Sequence, residues 1–171
     1  IELDGGTNGP VNALLIHNNK LYVGGNFSQA GTLTAGNIAA YNLNTLQWEN
    51  VGSTDNEVKA LALYNGNIYA AGTFTGLVAK WDGSSWININ TGALSGNDAR
   101  ALFVWENKLV IGGNFSFNTG APISYVAAYD GTQITPVGSG AFTPINDFEL
   151  YNNELYAACD VINGNDTCAI A

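Results

Sequence analysis

Methionine is absent from the 171 residues, histidine occurs once, and cysteine only twice. Charge is scarce as well, at 11% of residues, and only five of those residues are basic. Each scarcity excludes something. Five scattered cations (Lys20, Lys59, Lys80, Arg100 and Lys108) and a net charge of −9 argue against nucleic acid, which demands clustered lysine and arginine. The single His17, even with Cys159 and Cys168, supplies neither the number nor the geometry of ligands for a zinc or copper centre, so no metal or other cofactor is expected. No Gly-x-Ser-x-Gly elbow occurs, which removes the usual signature of a hydrolase nucleophile. No apolar run approaches the length of a membrane span, so no membrane contact is expected within this segment and any anchor would lie outside it. With no methionine at position 1, Ile1 is expected to follow a processing boundary. Helix-period segments are missing too.

What is abundant is repetition. Leu21-Tyr22-Val23-Gly24-Gly25-Asn26-Phe27 returns as Ile68-Tyr69-Ala70-Ala71-Gly72-Thr73-Phe74 and as Leu109-Val110-Ile111-Gly112-Gly113-Asn114-Phe115. A degraded copy follows at Leu155-Tyr156-Ala157-Ala158-Cys159-Asp160-Val161. The spacing lies in the range of blade-type repeats. Apolar, aromatic and small residues bounded by turns suit a strand covered on both faces, with glycines where backbones come close. Each copy is preceded by another apolar run and a two-residue turn: Asn18-Asn19, Asn65-Gly66, Glu106-Asn107 and Asn152-Asn153. Asparagine and glycine tolerate the positive φ of a type I′ hairpin. A third strand is predicted over 37–41, 77–81, 125–129 and 167–171, and a fourth over 48–51, 86–89 and 134–137. The repeats therefore fall at 11–53, 57–91, 98–139 and 144–171, the last joined by residues 1–4. Four antiparallel strands restated in register predict an all-β protein, a β-propeller of four blades or a four-blade portion of a larger one.

Leu-Tyr-Val-Gly-Gly-Asn-Phe, then Asn-Ile-Ala-Ala-Tyr-Asn, then Gln-Trp-Glu-Asn-Val-Gly resembles kelch-type β-propeller repeats, and more narrowly those of secreted bacterial propellers and of the fungal cortical polarity-marker family. The resemblance covers nearly the whole chain. It implies an extracellular or cell-surface, non-enzymatic recognition or scaffold module for a protein or glycan, with no cofactor. It leaves a homo-oligomer open. The alternative is an accessory, substrate-binding domain of a larger carbohydrate-active enzyme. The copper chemistry of galactose-oxidase-like propellers needs two histidines, which this segment lacks.

Individual residues read more plainly as structure than as chemistry. His17 ends a strand where the other repeats place Tyr64, Trp105 and Tyr151. Asp82 and Asp130 could form a carboxylate pair for glycoside hydrolysis, but each precedes glycine in a turn, where aspartate bonds local backbone. Asp160, Asn163, Asn165 and Asp166 offer oxygens to Ca²⁺, but loop formation without a metal is the preferred account of them. Trp48 and Trp86 share one repeat position, and Trp81 shares another with Tyr41 and Tyr129, a recurrence that suits packing between blades. Sequons at Asn26, Asn114 and Asn165 are candidate glycosylation sites, although about three would arise by chance.

Three positional expectations follow. The variable loops 28–36 and 116–124 should lie on one face and supply the binding surface, with Ser28, Gln29, Thr32 and Thr34 in the first and Ser116, Asn118, Thr119 and Ser124 in the second. Cys159 stands in the place of Gly25 and Cys168 in that of Ile38, so the two should form a disulfide. Residues 1–4 should supply the outer strand of the last repeat and close the ring.

Overall fold

The computed structural model describes residues 3–118, 124–160 and 169–170. Each repeat folds into a blade whose first strand is innermost. Blade 1 is β1 (Val11–His17), β2 (Lys20–Gly25), a small hairpin of β3 (Gln29–Ala30) and β4 (Leu33–Thr34), then β5 (Ile38–Asn42) and β6 (Gln47–Glu49). Blade 2 is β7 (Val58–Tyr64), β8 (Asn67–Gly72), β9 (Val78–Trp81) and β10 (Trp86–Asn88). Blade 3 is β11 (Leu94–Trp105), β12 (Lys108–Phe117), β13 (Ser124–Tyr129) and β14 (Ile134–Pro136). Blade 4 is β15 (Ile145–Tyr151), β16 (Glu154–Cys159) and β17 (Ala169–Ile170). Every pairing is antiparallel between neighbours, and the architecture is that of a β-propeller. The inner hairpins close through turns whose residues sit at positive φ, Asn18 at 48° and Asn19 at 57° among them, as the sequence predicts.

The core lies between blades. Tyr22, Ile38 and Ala40 of blade 1 meet Val58, Ile68 and Ala70 of blade 2. Tyr64, Tyr69 and Ala71 meet Ala99, Leu109 and Ile111. Ala101, Val110 and Val126 meet Ile145, Phe148 and Leu155. Each blade thus has a front face turned to the next blade and a rear face turned to the previous one. The paired glycines serve two different approaches. A Cβ on Gly24 would lie 2.5 Å from Cγ1 of Val58 in the next blade, and one on Gly112 would lie 2.6 Å from Cγ2 of Ile145. A Cβ on Gly25, Gly72 or Gly113 would instead strike the carbonyl of Pro10, Glu57 or Asp98. The reason is a bulge in every inner strand. Its register shifts at Val11/Ala13, Val58/Ala60, Ala99/Ala101 and Ile145/Asp147, leaving Asn12, Lys59, Arg100 and Asn146 as the extra residues.

Three expectations need correction. Of the residues 1–4 expected on blade 4, Asp4 lies on blade 1 instead, and Ile1 and Glu2 lie outside the described residues. Asp4 accepts a hydrogen bond from the Trp48 indole, Gly6 accepts one from the Gly31 amide, and Thr7 bridges Ala30, all in blade 1. The described sheet of blade 4 has three strands, and Val11, Leu14 and Ile16 of β1 remain exposed, so the described residues form an open arc. Second, loop 116–124 is shorter than expected, because β11 and β12 extend past the bulge and pair Ser116 with both Ser95 and Ser124. Third, β17 pairs Ile170 with Leu155, whereas the equivalent Leu21 pairs with Tyr41. The predicted alignment of the last strand therefore slips by one residue. Cys159 does occupy the glycine position, opposite Ile145. Its expected partner Cys168 lies outside the described residues.

Candidate functional site

Because Val11 pairs with Gly25 and Ala99 with Gly113, each inner strand begins where the second strand ends. The bulges, the connections between second and third strands, and the links from one blade to the next therefore share one end of the arc. Here the four bulge residues stand in a row around the inner rim. Each of the first three reaches the following blade. Asn12 donates to Glu57 Oε1 and to the Val58 carbonyl, both at 2.9 Å. Lys59 lies 3.5 Å from Glu57 and 3.8 Å from Asp98. Arg100 binds Asp98 at 2.9 Å through Nε, and Nη1 reaches Asn146 at 2.8 Å and Asp160 at 3.1 Å. Asn146 turns back to Asp160 of its own blade at 2.8 Å.

A chain of alternating donors and acceptors so runs across all four blades. Asp98 is buried at its centre and also accepts from the Asn114 amide at 3.2 Å. Burial works against the Arg100 charge, but Asp160 and Asp98 outweigh it and raise its pKa above the ordinary value. The Asn146 and Arg100 donors hold the Asp160 carboxyl below its usual range. Beneath the rim lies an open groove of about 400 Å³, lined by Asn12, Lys59, Arg100, Asn146 and Asp147 with alanines and the leucines Leu14, Leu61 and Leu102 between them. A second trough of about 440 Å³ passes over blade 2, where the connection between second and third strands is shortest. Asn90, Asn97 and Thr75 line it, and extended β11 rises beside it. The Thr73 hydroxyl at this edge is buried with no hydrogen-bond partner.

The expected binding loops lie on this same end. Ser28, Gln29, Thr32 and Thr34 are exposed, but Ala30 and Ala35 anchor their hairpin on Val23 and Ala39. Asn8 caps it by accepting from the Ser28 and Gln29 amides at 2.9 Å. Ser116 and Asn118 are exposed, Asn118 donating to the Gly92 carbonyl at 2.7 Å. Thr119 and the side chain of Ser124 lie outside the described residues. Asn26 is exposed and Asn114 half-buried, while Asn165 lies outside the described residues. So do Asn163 and Asp166, the other partners of the suggested calcium loop.

The remaining candidates are committed elsewhere. Asp82 accepts from the amides of Ser84 and Ser85, and Asp130 from those of Thr132 and Gln133. These turn bonds lower both carboxyls, with Asp130, whose largest contribution is the Thr132 hydroxyl, at about 2. His17 Nε2 pairs with the Asn18 side chain at 2.9 Å. Tyr41 stacks edge-on against Trp48, and Trp81 lies tilted on Trp86, each pair within one blade. Among the described residues no group of three or more His, Cys, Asp or Glu side chains could hold a metal ion.

Four-stranded sheets packed face to face around a polar inner rim define a β-propeller module. The family described as the Rax2 C-terminal beta propeller domain matches residues 1–77. No curated protein matches the chain. Among solved structures it is similar to the computationally designed Ika4 protein, with 18% identity and a TM-score of 0.59 over 100% of this chain and 99% of that one. It is also similar to the designed Ika8 protein (15%, TM-score 0.54), covering 87% of this chain and 42% of the other. A third likeness is the extracellular domain of the putative hybrid two-component system BT4673 from B. thetaiotaomicron, at 14% identity and a TM-score of 0.62. That match covers 93% of this chain and 22% of the other. The chain thus spans less than half the length of two of these structures.

The bulge row was invisible in the sequence analysis. The signal was present: Asn12, Lys59, Arg100 and Asn146 are the polar residues that interrupt the apolar inner strands at one repeat position.

Proposed function

We propose that this chain is a non-enzymatic recognition module, secreted or at the cell surface, whose loop-bearing end binds a protein or glycan. The observation that carries the reading is the row Asn12, Lys59, Arg100 and Asn146 above an open polar groove. Polar side chains that orient one another on rigid strands suit the hydroxyl and carbonyl groups of a polar ligand. The exposed loop residues Ser28, Gln29, Thr32, Thr34, Ser116 and Asn118 extend that surface outward. The Rax2 match and the extracellular-domain neighbour support a surface location. A disulfide between Cys159 and Cys168 and glycans at Asn26 and Asn114 belong to the same reading.

A glycan array and a protein pull-down with the 171-residue chain test it. Alanine at the exposed Ser28, Gln29, Thr32, Thr34 and Ser116, with the buried Ala30, Ala35 and Phe117 kept, should leave folding intact and reduce binding of whichever ligand is captured at least tenfold. Undiminished binding by that variant would reject the loop-bearing end as the site. An intact-mass measurement finding two reactive thiols in the unreduced protein would remove the disulfide.

A further inference from the structure

The four blades offer an internal comparison. Val58, Ala99 and Ile145 stand just before the bulges in the inner strands of blades 2, 3 and 4, and each is 0% exposed against the preceding blade. Val11 holds that position in blade 1 and is 44% exposed. Leu14 is 61% exposed, while its counterpart Phe148 is 5% exposed and Leu61 and Leu102 are partly buried. Ile16 is 68% exposed against 38% for Leu63. Along β1 the rear face of blade 1 thus has the apolar composition of an interface and the exposure of a free surface, while Val23 and Ala39 beside it are already covered by the hairpin that carries Ala30 and Ala35.

The approach to this face is also built. Trp86 of blade 2 donates its indole N–H to the carbonyl of Val51, which ends blade 1 seven residues before Val58. Trp48 of blade 1 donates to the carbonyl of Asp4, seven residues before Val11. Thr54 bonds the Asn56 carbonyl as Thr7 bonds that of Gly9, at 2.7 and 2.8 Å. Asp55 accepts from the Thr75 amide as Asn8 does from that of Ser28, both at 2.9 Å. Residues 4–10 thus repeat the bonding of the link between blades 1 and 2.

We infer that the rear face of blade 1 docks a further blade that precedes Leu3 on the same polypeptide and presents a glycine opposite Val11. The glycine follows from the volumes at the existing interfaces. Gly24 faces Val58 and Gly112 faces Ile145, whereas Ala71 stands at that position where the next blade offers only Ala99. A valine calls for glycine. A second copy does not meet the requirement. The exposed front of blade 4 carries Ala158 at the glycine position, and Asp147 and Glu149 where the other fronts have Ala13, Leu15, Ala60, Ala62, Ala101 and Phe103. Burying two unpaired carboxylates against Leu14 is costly, and two chains of charge −9 repel. The front of blade 4 instead has the polar outer face of a capping repeat.

A tandem copy of residues 4–50 inserted before Asp4 supplies the missing blade, since its Gly24 would face the original Val11. In the 171-residue chain, Leu14→Ser should leave the urea midpoint unchanged, while Leu61→Ser lowers it. In the extended chain, serine at the original Leu14 should lower the midpoint as Leu61→Ser does, and serine in the added copy should not. A neutral original Leu14→Ser in the folded extended chain overturns the inference. Light scattering on the 171-residue chain should give a monomer, and a dimer dissolved by Leu14→Ser would overturn it in favour of a second copy. If the extended chain does not fold, hydrogen exchange on the 171-residue chain decides. The Asn8 and Gly31 amides, bonded to Gln29 and Gly6, should be protected, and exchange at the unfolded rate would remove the docked link on which the inference depends.

Discussion

Asp160 illustrates how one side chain joins two blades. It accepts from Asn146 in its own blade and from Arg100 in the neighbouring one. With its pKa depressed in the folded state, it contributes stability above the unfolded carboxylate value of about 3.9. That contribution is lost as pH falls through the lower folded value. Asp160→Asn should therefore lower the urea midpoint at pH 6 and match the parent near pH 2. An equal gap at both values would show that the carboxylate charge plays no part. None of this was legible from the sequence, where Asp160 read as a loop residue or a calcium ligand. Its true partner lies 60 positions away, and only the bulge in β11 aims Arg100 at it. Asp82 and Asp130 were legible, because an Asx turn is a matter of three or four consecutive residues.

At the scale of the strand, hairpins and their turns could be read directly, since register and positive φ are local properties. The bulges could not, because a bulge appears only when two strands are aligned against each other. The extension of β11 and β12 escaped for a similar reason. Asn118 bonds across to Gly92 and to the Ala93 carbonyl, so residues that look like loop become ladder. The paired glycines were read correctly as close approaches, but not the two surfaces they approach. Gly24→Ala should cost about 1–3 kcal/mol, since its new methyl would meet the fully buried Val58. Adding Val58→Ala recreates the Ala71 and Ala99 pairing of the next interface, so the double variant should be more stable than the two single costs imply. Additive losses in chemical denaturation would show that the two positions are not coupled.

Over the whole molecule, stability should be graded along the arc. Blades 2 and 3 are covered on both faces, whereas blade 4 has one neighbour and three described strands. In a linear array each unit draws its stability from its neighbours. Amides of β15 and β16 should exchange by local opening at lower free energy than those of β8 and β12. Uniform protection across all four blades would mean a single cooperative unit. The propeller architecture was legible because four repeats state it. Whether the blades close into a ring was left between two alternatives, because closure depends on the angle between blades, which no single repeat encodes.

The alternation of Gly24 against Val58, Ala71 against Ala99 and Gly112 against Ile145 has a consequence for how the chain reaches this state. Near-identical repeats invite misassembly, with one unit docking on the wrong copy while the chain is still collapsing. Here a single methyl group guards the order. The front of blade 2 carries Ala71 and would collide with Ile145, while the front of blade 1 laid on Ala99 would leave a void beside Gly24. The sequence can thus restate one strand pattern four times and still set the front of blade 2 apart from those of blades 1 and 3.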